Sequence, residues 1–275
     1  MSEHSFTELT EGNIVKKTIL ITGATDGIGL VTAKLLAKQG HDLLIHGRSS
    51  SKLDDVAAQL STIPNHGKIS HFVADLSDLN AVVSLGKQVS ESVEQLDVLI
   101  NNAGVFKVPQ TITAAGYDVR FVVNTIAPYL LTLKLSDVLH DQSRVVSLAS
   151  AAQAPVDVDA LLGKSTLDDM PAYAQSKLAL IMWNNALATR AQEGSPVYIA
   201  VNPGSLLASK MVKQGFGVAG NDLEIGAKVL AKMALDESVA EHSGEYFDND
   251  AGHFSPPHIA GTSSQNIDAV MAAID

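Results

Sequence analysis

A chain of 275 residues, 46% of them hydrophobic and 18% charged, can bury one large core, and no shift in composition divides it. Its net charge of -11, from 30 acidic against 19 basic residues with no basic stripe, excludes a nucleic-acid partner and an anionic membrane surface. The absence of cysteine excludes disulfides and thiolate metal sites, and the nine histidines show no His-x-x-x-His or His-Glu-x-x-His spacing, so no metal centre is expected.

Residues 1–17 are polar and irregular as far as Ile14, which predicts a flexible N-terminal tail ahead of a single domain over 18–275. No apolar leader precedes a cleavage site, and no run approaches the ~18 apolar residues that span a bilayer, so the expectation is a cytoplasmic protein without a membrane partner. Thr18-Ile-Leu-Ile21 predicts a first strand, running into Thr22-Gly-Ala-Thr-Asp-Gly-Ile-Gly29 and a helix from Leu30 to Gln39, closed by Gly40. Strand, glycine turn and helix in that order make a dinucleotide-binding fingerprint. Gly23 would allow the tight turn, Gly27 the approach of backbone N–H groups to a pyrophosphate, and Gly29 the close packing of helix on strand.

The alternation continues. Leu43 to Ile45 predicts a second strand, ending at His46-Gly47-Arg48, and Lys52 to Leu60 a helix stopped by Pro64 and Asn65. Ile69 to Ala74 is a third strand ending at Asp75-Leu76. Leu79 to Glu94 is an amphipathic helix, and Leu96 to Ile100 a fourth strand ending at Asn101-Asn-Ala-Gly104. A long helix from Tyr117 to Leu139 carries Asn124. Arg144 to Leu148 is a strand with Ser150 just past it, and a helix from Ala172 to about Arg190 carries Tyr173-Ala-Gln-Ser-Lys177. Val197 to Val201 is a sixth strand before Asn202-Pro-Gly204, Leu223 to Leu235 a helix, and Glu245 to Phe247 the last strand. Strands alternating with helices at this spacing predict an α/β fold: one Rossmann-like, doubly wound parallel sheet with helices on both faces. Ligands in such sheets lie beyond the carboxyl ends of the strands, where the unusual residues cluster.

On a helix, Tyr173 and Lys177 stack on one face, and a fixed positive charge beside a phenol lowers its pKa from ~10, so the pair can pass a proton. Taken together, the Thr22–Gly29 turn, Asn101-Asn-Ala-Gly104, Ser150 and Tyr173-x-x-x-Lys177 resemble the short-chain dehydrogenases/reductases over residues 18 to 250. The resemblance implies hydride transfer between a nicotinamide cofactor and a small carbonyl or alcohol. It makes Tyr173 the general acid/base and Lys177 the holder of the nicotinamide ribose. Ser150 becomes the hydrogen-bond donor to the substrate oxygen, and Asn124 the support of a water-linked proton path to the lysine. Ser147 competes with Ser150, but the family serine lies past the strand end, which favours Ser150. The cofactor contacts implied are Gly23, Thr25, Asp26, Gly27, Ile28 and Gly29 in the turn and Arg48 after the second strand. Further along they are Asp75 and Leu76 after the third strand, Asn102, Ala103 and Gly104 after the fourth, Pro203 and Gly204 after the sixth, and Tyr173 with Lys177.

Ser150 and Tyr173 are 23 residues apart, more than is usual in the family, and the intervening Asp157-Val-Asp-Ala-Leu-Leu162 is similar to a segment of the retinol dehydrogenase-like branch. Residues 205–221, with Leu206, Leu207, Met211, Val212 and Phe216, correspond to the family's lid and suggest a lipophilic substrate. At the end of the second strand, Gly47 stands where an NAD-preferring site places a carboxylate, and Arg48 follows, so NADP is expected in preference to NAD. Asp26 either opposes a phosphate or caps the following helix. The helices Tyr117–Leu139 and Ala172–Arg190 carry more Leu, Ala, Ile and Trp183 than one sheet face can bury, which predicts a homo-dimer or homo-tetramer. Two rivals are a cofactor-binding sensor on the same fold, which would not need Ser150, Tyr173 and Lys177 together, and an epimerase or dehydratase, which would need a larger C-terminal part.

Overall fold

A computed structural model describes residues 15–205, 207, 208 and 220–275 of the chain. Its frame is one eight-stranded sheet in the order β3-β2-β1-β4-β5-β6-β7-β8, parallel except for the last pair. The strands are β1 Thr18–Ile21, β2 Asp42–Gly47, β3 Ile69–Val73, β4 Val98–Asn101, β5 Arg144–Leu148, β6 Val197–Asn202, β7 Tyr246–Asp248 and β8 His253–Ser255. β1, β4, β5 and β6 are almost fully buried because helices cover both faces, which is why they read as unbroken apolar runs.

One face packs Ile19, Ile21, Val146 and Val201 under α1 Gly27–Lys38, α2 Ser50–Ser61 and α8 Leu223–Leu235. The other packs Leu20, Leu99 and Val145 against α3 Leu79–Ser90 and α5 Ala127–Lys134. Side-chain caps start the helices: Ser49, Asp78 and Asp222 accept from the backbone N–H groups of Lys52, Asn80 and Glu224. At the far end of α8, the guanidinium of Arg144 donates to the carbonyls of Met233 and Asp236, a cation placed where the helix leaves acceptors unpaired. The order of connection reverses between β1 and β4, so a crevice opens beyond their carboxyl ends.

The sequence reading departs from this fold in several places. The helix expected from Tyr117 to Leu139 is shorter and interrupted: α4 Val119–Phe121 passes into a π-turn, Val122–Ile126, before α5. Pro128 lies four residues after Asn124 and has no N–H to give its carbonyl, which favours such a break. Elements not anticipated are the short helix at Val158–Leu161, the 3₁₀ turns Glu237–His242 and Ile259–Thr262, the antiparallel β8 and the helix α9 Ser264–Ile274.

α9 changes the oligomer argument. The surplus apolar residues of α7 Asp169–Thr189 are buried within the chain. Leu178 and Met182 pack with Phe121, with Ala160 and Leu161 of α6 Val158–Leu161, and with Val270 of α9. Trp183 is 0% exposed, and it clusters with Tyr129 and Met271. Leu133 of α5 and Met170 of α7 remain 42% and 38% exposed. Among the described residues no helix is long and apolar enough to cross a membrane. The tail assignment falls on residues 1–14, outside the described ones, whereas Lys16 and Lys17 are docked, Lys16 pairing with Asp42 at 2.7 Å.

Candidate active site

The crevice is built by the chain segments that leave β1, β2, β3 and β4. In the turn after β1, Gly23 and Gly27 have φ of 67° and 54°, a conformation that side chains disfavour. A Cβ on Gly23 would sit 3.0 Å from Ala103 Cα, and one on Gly29 would sit 2.4 Å from both Gly23 O and Asn102 Nδ2. Gly29 thus lets α1 close on the turn itself and on Asn102 rather than on the strand alone. Asn102 clamps the same turn, donating to Thr22 O at 2.8 Å and Gly23 O at 3.1 Å, while Thr22 Oγ1 accepts from the N–H groups of Asn102 and Ala103. The result is a side-chain-free cradle at the start of α1, the shape and polarity that a pyrophosphate needs. Thr25 and Ile28 are half-buried in it, and Gly104 follows Ala103 at its far wall.

Asp26 serves as a cap. Its carboxylate accepts from Gly27 N at 2.8 Å as the N-cap of α1. After β2, a Cβ on Gly47 would lie 2.7 Å from Thr25 Cγ2, so the position lacks room for an acidic side chain as well as lacking one. Arg48 next to it is exposed and enters no ion pair among the described residues. Asp75 is exposed too, but one of its oxygens is occupied by the N–H and hydroxyl of Ser77, and Leu76 is 5% exposed, in the core rather than in the crevice.

On the other side of the crevice stand Ser150, Tyr173 and Lys177. Tyr173 stands beside Ser150, whose Oγ accepts from Ala152 N at 3.1 Å and whose carbonyl accepts from the hydroxyl of Tyr246 at 3.2 Å. Ser147 is 0% exposed and bonded to Asn101 Nδ2, so of the two serines Ser150 is the one beside the tyrosine. Lys177 Nζ donates to Leu148 O at 2.6 Å and lies 5.7 Å from the centre of the Tyr173 ring. Burial pushes the lysine down to about 8. Burial also raises the phenol of Tyr173 above its ordinary value, with the Ser150 hydrogen bond acting the other way. The expectation that Lys177 lowers the tyrosine therefore does not hold in this structure. Desolvation dominates, and the ammonium is turned to a backbone carbonyl.

Asn124 occupies the π-turn with both ends of its side chain engaged. Its Oδ1 accepts from Val105 N at 2.8 Å, and its Nδ2 donates to Val105 O and Ser176 Oγ, each at 2.9 Å. It pins the chain after β4 to α7 one residue before Lys177, so any part it plays in a proton path falls to its backbone, not its amide. After β6, Pro203 is buried and Gly204 has φ of 125°. The next residue, Ser205, is latched to Asp250, and Ala208 N donates to Asn221 O at 2.6 Å, pinching the two ends of the expected lid. Leu206, Met211, Val212 and Phe216 lie outside the described residues.

A cavity of about 860 Å³ opens beside Phe106, whose ring centre lies 5.0 Å from that of Tyr173, and its lining is mixed, with Leu167, Met170 and Pro171 against Lys107, Thr111, Arg120, Asp168 and Asp169. A smaller one, about 360 Å³, opens at the amino ends of the strands around Thr18, Asp42 and Lys68, away from these residues. Two contributors escaped the sequence reading. Phe106 gave no motif signal, and His46 reads only as a strand residue, although its imidazole meets both Gly23 and Ala74. Among the described residues no group of three or more His, Asp or Glu side chains could hold a metal.

The sequence pattern of the short chain dehydrogenase family matches residues 17–217. Human retinol dehydrogenase 13 is 30% identical over 260 residues, 87% of this chain and 78% of that protein. Human polyprenol dehydrogenase is 35% identical over 195 residues, 67% of this chain and 59% of that one. A solved short chain dehydrogenase from Burkholderia cenocepacia J2315 in complex with NADP superposes with a TM-score of 0.68 at 25% identity, covering 85% of this chain and 95% of the other.

Proposed function

The chain belongs to the short-chain dehydrogenase family, and on that premise we propose that it is an NADP(H)-dependent oxidoreductase interconverting a lipophilic carbonyl compound and its alcohol, with Tyr173 as general acid/base. The observation that carries this reading is Tyr173 beside Ser150, with the buried Lys177 Nζ 5.7 Å from the centre of the phenol ring, across the crevice from the glycine cradle. NADP(H), when bound, supplies or accepts the hydride.

The side chains do the rest. A carbonyl oxygen placed at Ser150 and Tyr173 would receive a hydrogen bond from each, and as it gains negative charge the Tyr173 hydroxyl gives up its proton to it. A phenol raised by burial is protonated at neutral pH, the form a proton donor needs. Lys177, at about 8, still carries its charge at pH 7 and, by donating to Leu148 O, fixes the end of β5 just before Ser150. Phe106 against the Tyr173 ring supports an apolar group at the site, as do the substrates named for the retinol and polyprenol dehydrogenases. The direct test is NADPH consumption, or NADP reduction, with a panel of lipophilic aldehydes, ketones and alcohols. Binding of NADP without turnover of any of them would overturn the assignment as an enzyme and return the protein to a cofactor sensor.

Preference for NADP rests on Gly47 and Arg48. The exposed guanidinium can grip a 2′-phosphate through two charge-assisted hydrogen bonds, and no carboxylate at position 47 repels it. Arg48→Ala is expected to raise the KM for NADP by ~10-fold or more and that for NAD by less than ~2-fold, as loss of one such pair implies. Parallel titration of both cofactors checks this, and tighter binding of NAD than NADP by the parent protein would refute the preference.

A further inference from the structure

We propose that His46 is a positioning residue for the cofactor: its imidazole ties the glycine turn after β1 to the chain leaving β3, fixing the spacing of the two segments between which the dinucleotide would lie. The inference rests on the reading that this crevice binds NADP(H).

β2 runs between β1 and β3, and within the sheet the ladder hydrogen bonds hold the three together. Past the carboxyl ends the ladder thins to single backbone bonds, among them Ala74 N to Gly47 O at 3.2 Å, and a side chain adds to them. His46, one residue before the end of β2, supplies ties on three sides. Its backbone carbonyl accepts from Ala24 N at 2.9 Å. Its Nδ1 lies 3.4 Å from Gly23 N, and its Nε2 lies 3.1 Å from Ala74 O, the residue directly before Asp75.

The chemistry fixes the tautomer. A carbonyl oxygen can only accept, so Nε2 carries the proton and donates to Ala74 O, which leaves Nδ1 as the acceptor for the Gly23 N–H. The ring is 1% exposed, and burial pushes it down to about 4, so it is neutral at physiological pH and the two ties coexist. Gly23 is the residue whose φ of 67° sets the turn, and its N–H would otherwise be an unpaired donor at the mouth of the cradle. No shorter side chain spans both neighbours: asparagine reaches only toward Gly23, and glutamine only toward Ala74. The sequence gives no hint of this, because the two partners are 23 and 28 residues away from His46.

The test measures NADP affinity by calorimetry on the cofactor-free protein, with kcat at saturating NADPH as the second readout. His46→Leu is expected to weaken NADP binding by ~10-fold, with His46→Gln and His46→Asn in between and kcat within ~3-fold of the parent, since two neutral hydrogen bonds are removed and the reacting groups are not touched. If His46→Leu does not fold, the same order, parent tighter than Gln and Asn, is the expected result. Affinities of the folded variants within ~2-fold of the parent, or a fall in kcat as large as the fall in affinity, would overturn the role of His46 alone. A parent protein that binds neither NADP nor NAD would overturn the proposed function and this role with it.

Discussion

Tyr173→Phe is expected to lower turnover by ~10²–10⁴-fold while NADP affinity stays within ~2-fold, because the change deletes one proton-transferring hydroxyl and leaves the ring. The ring is held independently of that hydroxyl. Its face lies 5.0 Å from the ring of Phe106, and the helix beneath it is anchored through Lys177 to Leu148 O. What the variant loses is the bond to Ser150 and the proton given to the substrate oxygen. Ser150 keeps its hold on Ala152 N, so it can still offer one hydrogen bond to that oxygen, and residual activity above the uncatalysed rate is expected. Single-turnover rates with saturating NADPH, set against NADP titrations, separate chemistry from binding. A variant that turns over within a few-fold of the parent would remove Tyr173 from the role of acid.

The parts of this site visible in the sequence are those whose chemistry is local. A glycine with φ of 67°, a strand buried on both faces and a Tyr-x-x-x-Lys step along a helix each leave a trace within ten residues. The helix Leu223–Leu235 was read with its bounds because Asp222 caps its start and its apolar spacing is regular. The interrupted helix around Asn124 left one local trace, Pro128, but the partners that hold Asn124 in it, Val105 and Ser176, lie 19 and 52 residues away. α9 could have been found, since Ile267, Val270, Met271 and Ile274 follow helical spacing. It supplies part of the cover for the apolar residues of α7. The tyrosine environment failed for a different reason. Whether a nearby ammonium or desolvation governs a phenol depends on where the ammonium points, and no spacing rule contains that.

Arg120→Met is the change expected to cost most in stability, ~3–5 kcal/mol, because it strands a buried carboxylate. Arg120 is 1% exposed. Its Nε donates to Asp118 Oδ1 at 2.8 Å, its Nη2 to Asp118 Oδ2 at 2.5 Å, and its Nη1 to Asp169. Asp118 is itself 6% exposed and caps α4 by accepting from Arg120 N at 2.8 Å, so it has no route to solvent when the guanidinium goes. The two carboxylates are not equal. The Asp169 side chain is 42% exposed, and its pair is screened by water and contributes little. The double variant Asp118→Asn with Arg120→Met is therefore expected to recover most of the loss, since the amide keeps the cap without the charge, whereas Asp169→Asn alone should cost less than ~1 kcal/mol. Denaturant midpoints at constant slope give all three values. A cost below ~1 kcal/mol for Arg120→Met would mean that the Asp118 carboxylate finds water or a proton in the variant, and that the triad is dispensable to the fold. A functional consequence follows from where the triad sits. Asp118 and Arg120 begin the helical run that carries Asn124, and Asp169 begins the helix that carries Tyr173 and Lys177. If the guanidinium fixes the start of one against the other, Arg120→Met also lowers kcat in conditions where the variant is fully folded, and Asp169→Asn lowers it by a smaller factor with its stability near that of the parent.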